Sequence, residues 1–299
     1  MPAECVAYKT VHRAAGSLFP VLTTEAQRLL FSLTEAQVAE YRARGFIKGP
    51  RVLDDHQIAV LAEALERVRT GDHPRLNELY EIDEAYTRAP GENVFHFLGA
   101  WMIEEAFHDV LFHPAVAVPV SQLLGCSKVR FWHDQVFYKP ARHPGVVAWH
   151  QDYAYWTRSV PARHLTVWIG LDDSTRENGC VHFVPGSHRW NLLPKGALLE
   201  DMEAIKQRLT REQVAYFMPE PMILRAGECS FHHCMTLHGS YGNTSDRPRR
   251  AVVINYMHPD SRSADGTNPL LLHTPIIPEG EIIQGENYPI VYDSSLRLA

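Results

Sequence analysis

The 299-residue sequence lacks long hydrophobic segments, cysteine pairs and runs of charge of one sign. A membrane-spanning helix needs about 20 consecutive apolar residues, and no stretch of the chain approaches that length. The first residues, MPAECVAYKTVHRAAG, also lack the continuous apolar core of a secretory signal peptide. These absences predict a cytoplasmic globular protein with no membrane partner.

The five cysteines are odd in number and scattered, and none belongs to a C-x-x-C pair. This pattern argues against a disulfide framework and against a zinc knuckle, so we expect reduced thiols. The formal net charge of −6, with no basic arm, argues against a nucleic-acid-binding surface. We therefore expect the partner of this protein to be a small molecule.

Helical patterns precede strand patterns along the chain. Thr34 with Gln37 predicts a capped helix that ends at Gly45. Further helices are predicted from Asp54 and over 113–124. Alternating polar and apolar residues then predict strands at about 131–138, 146–153, 164–171, 180–184, 231–241 and 250–257. Because helices and strands do not alternate, we predict a mainly β protein with flanking helices and a double-stranded β-helix (jelly-roll, cupin-like) core.

This organisation predicts a single domain over residues 1–299. Its predicted parts are an N-terminal extension of unknown role (1–32), a mainly helical front (33–125), a jelly-roll core (126–258) with a helical insertion at about 196–213, and a C-terminal tail (259–299). The insertion is a candidate lid, and the sequence carries no indication of oligomeric state.

His150 and Asp152 form a His-x-Asp pair within a predicted strand. Residues i and i+2 of a strand project from the same face, so both side chains can reach one ion. His238, which precedes a glycine, is the best third ligand. His232 and His233 compete for that role, but they are adjacent and at most one can face the metal. Two histidines and one carboxylate are the ligand set of non-heme Fe(II) oxygenases.

Arg249 and Arg250 enter the last predicted strand. A guanidinium inside a barrel is costly unless it meets an anion, and its planar fork suits a carboxylate. We favour Arg249 for this role, and a basic turn on the surface is the alternative interpretation.

Three segments together resemble the phytanoyl-CoA dioxygenase (PhyH) family of Fe(II)- and 2-oxoglutarate-dependent oxygenases. They are WHQDYAYW (149–156), HLTVWIGLDDSTRENGCVHFVPGSH (164–188) and LHGSYGNTSDRPRRAVVINY (237–256). The resemblance implies Fe(II), 2-oxoglutarate and O2 as cofactors, and iron ligands at His150, Asp152 and His238. It further implies that Arg249 grips the distal carboxylate of 2-oxoglutarate. The remaining residues that it implies for the co-substrate or substrate are Ser240, Gln151, Trp168, Gln135 and His133.

Because Asp152 fills the position that halogenating relatives leave open for a halide, the resemblance favours hydroxylation of a C–H bond. The competing interpretation is a metal-binding, cupin-like protein without oxygenase activity, such as a sensor or a hydrolase. Arg249 with Ser240 argues against it, since such a protein needs no co-substrate clamp. An inactive family member is disfavoured because every triad position is filled.

The sequence does not define the substrate, since no basic cluster is dedicated to the phosphates of coenzyme A. Candidates for substrate recognition at the rim are Arg142, His143, Tyr155, Arg158 and Arg163.

Overall fold

The computed structural model describes residues 6–82, 95–198 and 201–296, and most of its helices precede its long strands in the chain. The α-helices are α1 Glu25–Phe31, α2 Glu35–Arg44, α3 Asp55–Arg69, α4 Glu105–Asp109, α5 Pro114–Leu124 and α6 Arg211–Ala215. The capping box predicted for α2 is confirmed, since Thr34 and Gln37 exchange hydrogen bonds with each other's backbone N–H. Gly45 then ends the helix with φ +83°, a conformation that glycine adopts without a steric penalty.

The described strands form one large and two small antiparallel sheets. The strands are β1 Phe46–Arg51, β2 Glu81–Ile82, β3 Phe95–Leu98, β4 Lys128–Lys139, β5 Val147–His150, β6 Ser159–Val160, β7 His164–Gly170, β8 Val181–Phe183, β9 Glu220–Pro221, β10 Glu228–His233, β11 His238–Ser240, β12 Arg249–Met257, β13 Arg262–Ser263 and β14 Ile290–Asp293. The large sheet has the order β1-β10-β7-β12-β4-β3-β2, and β14 also pairs with β4. A second sheet has the order β5-β11-β8-β9, and β13 pairs with β6.

The large sheet lies between the helices and the second sheet, because its side chains alternate between two cores. On β7, Val167 and Ile169 belong to the core that includes Leu61 and Leu65 of α3. Trp168, between them, packs with β8 of the second sheet instead. Each large side chain buried in this way stabilises the fold by roughly 1.5–3 kcal/mol. The two facing sheets confirm the predicted jelly-roll core.

The limits predicted for that core are too narrow. Strands β1, β2 and β3 come from the predicted helical front, and β14 comes from the predicted tail, yet all four join the large sheet. Gly49 and Pro50 interrupt the alternation within β1, so its pattern does not resemble a strand. Its partner β10 lies far away in the chain, and only tertiary pairing reveals the strand.

Two predicted strands also end earlier than expected. The segment 231–241 is two strands, since a turn at 234–237 carries the chain from β10 in the large sheet to β11 in the second sheet. The strand predicted at 146–153 stops at His150, and Asp152 opens a short 3-10 helix, Asp152–Tyr155. In the insertion, a 3-10 helix at Met202–Gln207 precedes α6, while residues 199 and 200 lie outside the described residues.

In the ranges 6–82, 95–198 and 201–296, no helix combines the length and apolar character needed to cross a bilayer.

Candidate active site

Two histidines face each other on neighbouring strands of the second sheet. His150 ends β5, His238 begins β11, and the antiparallel register places them opposite each other, with ring centroids 4.1 Å apart. The turn after β5 brings Asp152 over the pair, so that its Oδ1 lies 3.5 Å from Nε2 of His150 and 3.6 Å from Nε2 of His238. Within the described part of the chain, these three residues form the one His, Cys, Asp or Glu cluster whose ligand atoms all lie within 4.8 Å of one another.

The hydrogen bonds of this cluster suit a divalent metal ion. Nδ1 of His150 lies 2.7 Å from the carbonyl of Ala148, and Nδ1 of His238 lies 2.9 Å from that of Thr236. A carbonyl only accepts, so each Nδ1 carries the proton and each Nε2 keeps its lone pair for a metal. One ion with bonds of roughly 2.0–2.2 Å can therefore reach both nitrogens and Oδ1 of Asp152.

The electrostatics of the cluster favour neutral histidine beside an ionised carboxylate. Burial, reinforced by His150, lowers the pKa of His238 well below its ordinary value. Burial acts to raise the pKa of Asp152, but the neighbouring His238, His150 and His232 side chains hold this pKa well below its usual range. The cluster thus has the protonation state that a metal requires.

The two histidines that competed for the third position take other places. His233 points away from the cluster, since its Nδ1 accepts the N–H of Met235 at 3.1 Å and its ring lies beside His188. His232 faces the cluster, but its Nε2 lies 3.1 Å from Oδ2 of Asp152, the carboxylate oxygen that is not directed at the other two histidines. His232 is therefore placed as a partner of the carboxylate.

A pocket between the two sheets runs from this cluster to Arg249. The guanidinium of Arg249 is 1% exposed, and its Nη1 donates to the carbonyl of Gly179 and lies 3.3 Å from Oγ of Ser240. It forms no ion pair with any carboxylate of the described residues, and its Nε has no partner there. Burial lowers the pKa of Arg249 to about 10, so the side chain stays charged at neutral pH. A buried cation without a counterion is suited to an anionic ligand.

A second buried basic side chain, Lys139, lies beside Arg249, and the sequence analysis missed it. It faces Arg249 across β4 and β12, is fully buried, and donates from Nζ to Oγ of Ser240 at 2.8 Å and to the carbonyl of Tyr241. Its alternation with Gln135 along β4 was a signal that could have indicated it. Arg250, by contrast, is partly exposed and is held by a two-pronged ion pair with Asp172.

The jelly roll thus encloses a pocket with a cluster of two histidines and one carboxylate at one end and a buried arginine at the other. The chain belongs to the phytanoyl-CoA dioxygenase (PhyH) family. Residues 41–251 match the sequence profile of that family. This PhyH protein is accordingly a 2-oxoglutarate-dependent non-heme iron dioxygenase that uses Fe(II), 2-oxoglutarate and O2.

Its relatives carry different names. An ectoine dioxygenase of Bordetella bronchiseptica is 28% identical over 243 residues, which cover 75% of each chain. The alpha-ketoglutarate-dependent carbocyclase SnoK from nogalamycin biosynthesis is 25% identical, has a TM-score of 0.69, and covers 86% of this chain and 96% of its own. The epimerase SnoN, in complex with Fe3+, alpha ketoglutarate and nogalamycin RO, is 25% identical with a TM-score of 0.67 and coverages of 86% and 98%. Membership of the PhyH family therefore does not define the substrate.

The other predicted co-substrate residues are divided between the pocket and its surroundings. Trp168, Gln135 and Ser240 line the pocket that joins the metal cluster to Arg249. Gln151 lies outside it, because its amide accepts the N–H of Leu193 and donates to the carbonyl of Met235. The role that the resemblance implied for Gln151 does not match this position.

A larger cavity of about 600 Å³ opens on the other side of His150 and Asp152, and its size is that of a typical ligand pocket. Its walls combine aromatic residues with the tail segment 269–272, and include Tyr80, Trp132, His133, Gln135, Tyr155, Trp156, Leu198 and Leu270. We call this cavity the substrate chamber. Gln135, Phe137 and Val147 line both it and the pocket, so the two spaces meet at the metal cluster.

Few charged side chains line the substrate chamber. Besides Asp152 of the metal cluster, they are Glu81, Arg158 and Lys195 among the described residues. Arg158 donates to the carbonyls of Pro269 and Leu270, and Lys195 lies 4.4 Å above the ring of Tyr155. Of the predicted rim candidates, Tyr155 and Arg158 thus line the chamber. The other three, Arg142, His143 and Arg163, are not among the residues that line it.

Proposed function

We propose that this PhyH protein hydroxylates a C–H bond of a small organic substrate and converts 2-oxoglutarate and O2 to succinate and CO2. The observation that carries the proposal is the position of Asp152, whose Oδ1 completes the metal cluster with His150 and His238. A carboxylate at this position occupies a metal site that a halide would need, which favours hydroxylation over halogenation.

The residues at the two ends of the pocket have separate tasks. Iron bound by the cluster supplies the activation of O2 that is coupled to decarboxylation of 2-oxoglutarate. Arg249 would receive the distal carboxylate of the co-substrate, for which its planar fork is suited. Oγ of Ser240 lies beside Arg249 and can turn its proton from the carbonyl of Gly179 towards the same carboxylate. The ring of Trp168 lies 5.3 Å from the guanidinium carbon of Arg249 and would form one wall of the co-substrate site.

The substrate chamber would hold the organic substrate against the metal cluster. Trp132 and Trp156 are almost fully buried and form part of its wall, so a bound substrate would be shielded from water on that side. The mostly neutral lining favours a ring-containing molecule with little charge. An acyl-coenzyme A carries several phosphate charges, which the two cations Arg158 and Lys195 would not match.

The test is aerobic turnover with Fe(II), 2-oxoglutarate, 18O2 and a panel of ring-containing compounds. We expect a compound that raises succinate formation and gains one hydroxyl oxygen from O2, in equal amount to succinate. Excess chloride should not divert the product. The Asp152→Ala variant is the control and should form no product. A chlorinated product would contradict the proposal. It would also be contradicted if the wild-type protein holds iron but forms succinate only at the background rate with every compound. That second result would favour a binding protein over an enzyme.

A further inference from the structure

Four buried polar side chains lie side by side across the inner face of the large sheet, next to Asp152. In the strand register, His133 of β4 is opposite Asn255 of β12, Asn255 is opposite Thr166 of β7, and Thr166 is opposite His232 of β10. Each of the four is at most 3% exposed. We call this set the polar row. Buried polar groups are costly unless their hydrogen bonds are satisfied, so a complete row at this depth requires a reason.

The polar row ends on the carboxylate of Asp152. Oγ1 of Thr166 lies 2.7 Å from Oδ2 of Asp152, and Nε2 of His232 lies 3.1 Å from the same oxygen. Further along, Oγ1 of Thr166 lies 2.9 Å from Oδ1 of Asn255, and Nδ2 of Asn255 lies 3.2 Å from Nδ1 of His133. Oδ1 of Asp152, by contrast, faces His150 and His238.

The chemistry of the groups fixes the direction of these hydrogen bonds. An ionised carboxylate only accepts, so Thr166 and Nε2 of His232 both donate to Oδ2 of Asp152. Thr166 carries one hydroxyl proton, which it shares between Oδ2 of Asp152 and Oδ1 of Asn255. Nδ2 of Asn255 donates to Nδ1 of His133. Both hydrogen bonds on Oδ2 therefore point towards Asp152.

We propose that the polar row is a positioning device, which holds Asp152 as a metal ligand through Oδ1 alone. This inference rests on the proposed metal site. With two donors on Oδ2, the carboxylate cannot rotate to offer both oxygens to one ion without losing both hydrogen bonds. Partners of this kind orient metal ligands, and their loss typically weakens metal affinity about 10–100-fold. His133 also lines the substrate chamber, so the row joins the wall of that chamber to the metal ligand.

The test is Co(II) binding to the metal-free protein, measured by competition with a chelator and by the visible d–d spectrum. Thr166→Val and His232→Phe should each weaken Co(II) about 10–100-fold and change the spectrum, because Asp152 can then bind through both oxygens. Thr166→Ser keeps the hydroxyl and should retain wild-type affinity. His133 lies two hydrogen bonds further from Asp152 than Thr166 does, so His133→Phe should weaken Co(II) binding less than Thr166→Val.

Ser230→Ala is the matched control, since Ser230 is also buried on β10, faces Trp168 in the neighbouring register position, and its Oγ has no partner among the described residues. It should bind Co(II) as the wild type does. Thermal unfolding of the metal-free variants separates loss of folding from loss of the donor. Wild-type affinity and spectrum in both Thr166→Val and His232→Phe would overturn the inference, as would Thr166→Ser binding as weakly as Thr166→Val. A wild-type protein that binds neither Fe(II) nor Co(II) would overturn the proposed function with it.

Discussion

The two ends of the pocket between the sheets differ in the charge that they leave uncompensated. At one end, His150 and His238 surround the carboxylate of Asp152, and the pKa of His238 and that of Asp152 both lie well below their ordinary values, so the carboxylate carries negative charge beside a neutral His238. At the other end, Arg249 and Lys139 are both buried, and they donate hydrogen bonds to hydroxyl and carbonyl oxygens. The first end is suited to a cation and the second to an anion. One cavity can therefore hold two unlike ligands, because its two ends carry uncompensated charge of opposite sign.

The largest expected effect comes from breaking the negative end. We expect His238→Ala to abolish turnover and to weaken Fe(II) binding by about 100-fold or more, because it removes one of three metal ligands. Iron titration of the purified protein and succinate formation are the measurements. His233→Ala, which changes a histidine outside the cluster, serves as the control. Full activity in His238→Ala would show that the third ligand is assigned wrongly.

The next effect concerns the fork of the positive end. Arg249→Lys keeps the charge but loses the paired hydrogen bonds to a carboxylate. A charged hydrogen bond contributes roughly 1.5–3 kcal/mol, so the KM for 2-oxoglutarate should rise about tenfold or more. Arg250→Lys should leave KM unchanged, because Arg250 pairs with Asp172 instead. The reverse result would move the clamp to Arg250.

A smaller effect distinguishes Lys139 from Arg249, the two buried basic side chains of the positive end. Burial, and then the charge of Arg249, lower the pKa of Lys139 to about 6, while nearby Cys180 stays a neutral thiol because burial raises its pKa to about 11. A bound dianion favours protonated Lys139, so the KM for 2-oxoglutarate should rise several-fold between about pH 6 and 8. Lys139→Met should reduce that dependence on pH. An identical pH profile in wild type and variant would remove Lys139 from co-substrate binding.

The smallest effect is on stability, near the negative end. Burial, and then the charges of His133 and His233, lower the pKa of His164 to about 3. Between about pH 6.5 and 3 the unfolded chain binds a proton at this position and the native chain does not, so the free energy of unfolding falls as the pH falls. The contribution is up to about 1.4 kcal/mol per pH unit. His164→Gln should flatten this dependence in urea unfolding at pH 7 to 4.5. Parallel wild-type and variant curves would contradict it.

What the sequence by itself determined are features that arise from local spacing. The capping box at Thr34, the termination at Gly45 and the alternation along β7 are set by neighbouring residues, and the structure confirms them. The His-x-Asp pair indicated a metal cluster because both residues lie within three positions of each other. The order of helices before strands was enough to predict a jelly-roll core.

Only the tertiary structure decided the features that depend on distant strands. The partners of Oδ2 of Asp152 come from β7 and β10, and no local pattern could assign them. Lys139 and Arg249 become neighbours only because β4 pairs with β12. Asp152 lies in a turn because the chain leaves the second sheet after His150. Spacing along the chain reports which groups are present, but the pairing of strands determines which of them meet, since that pairing depends on the burial of the whole core.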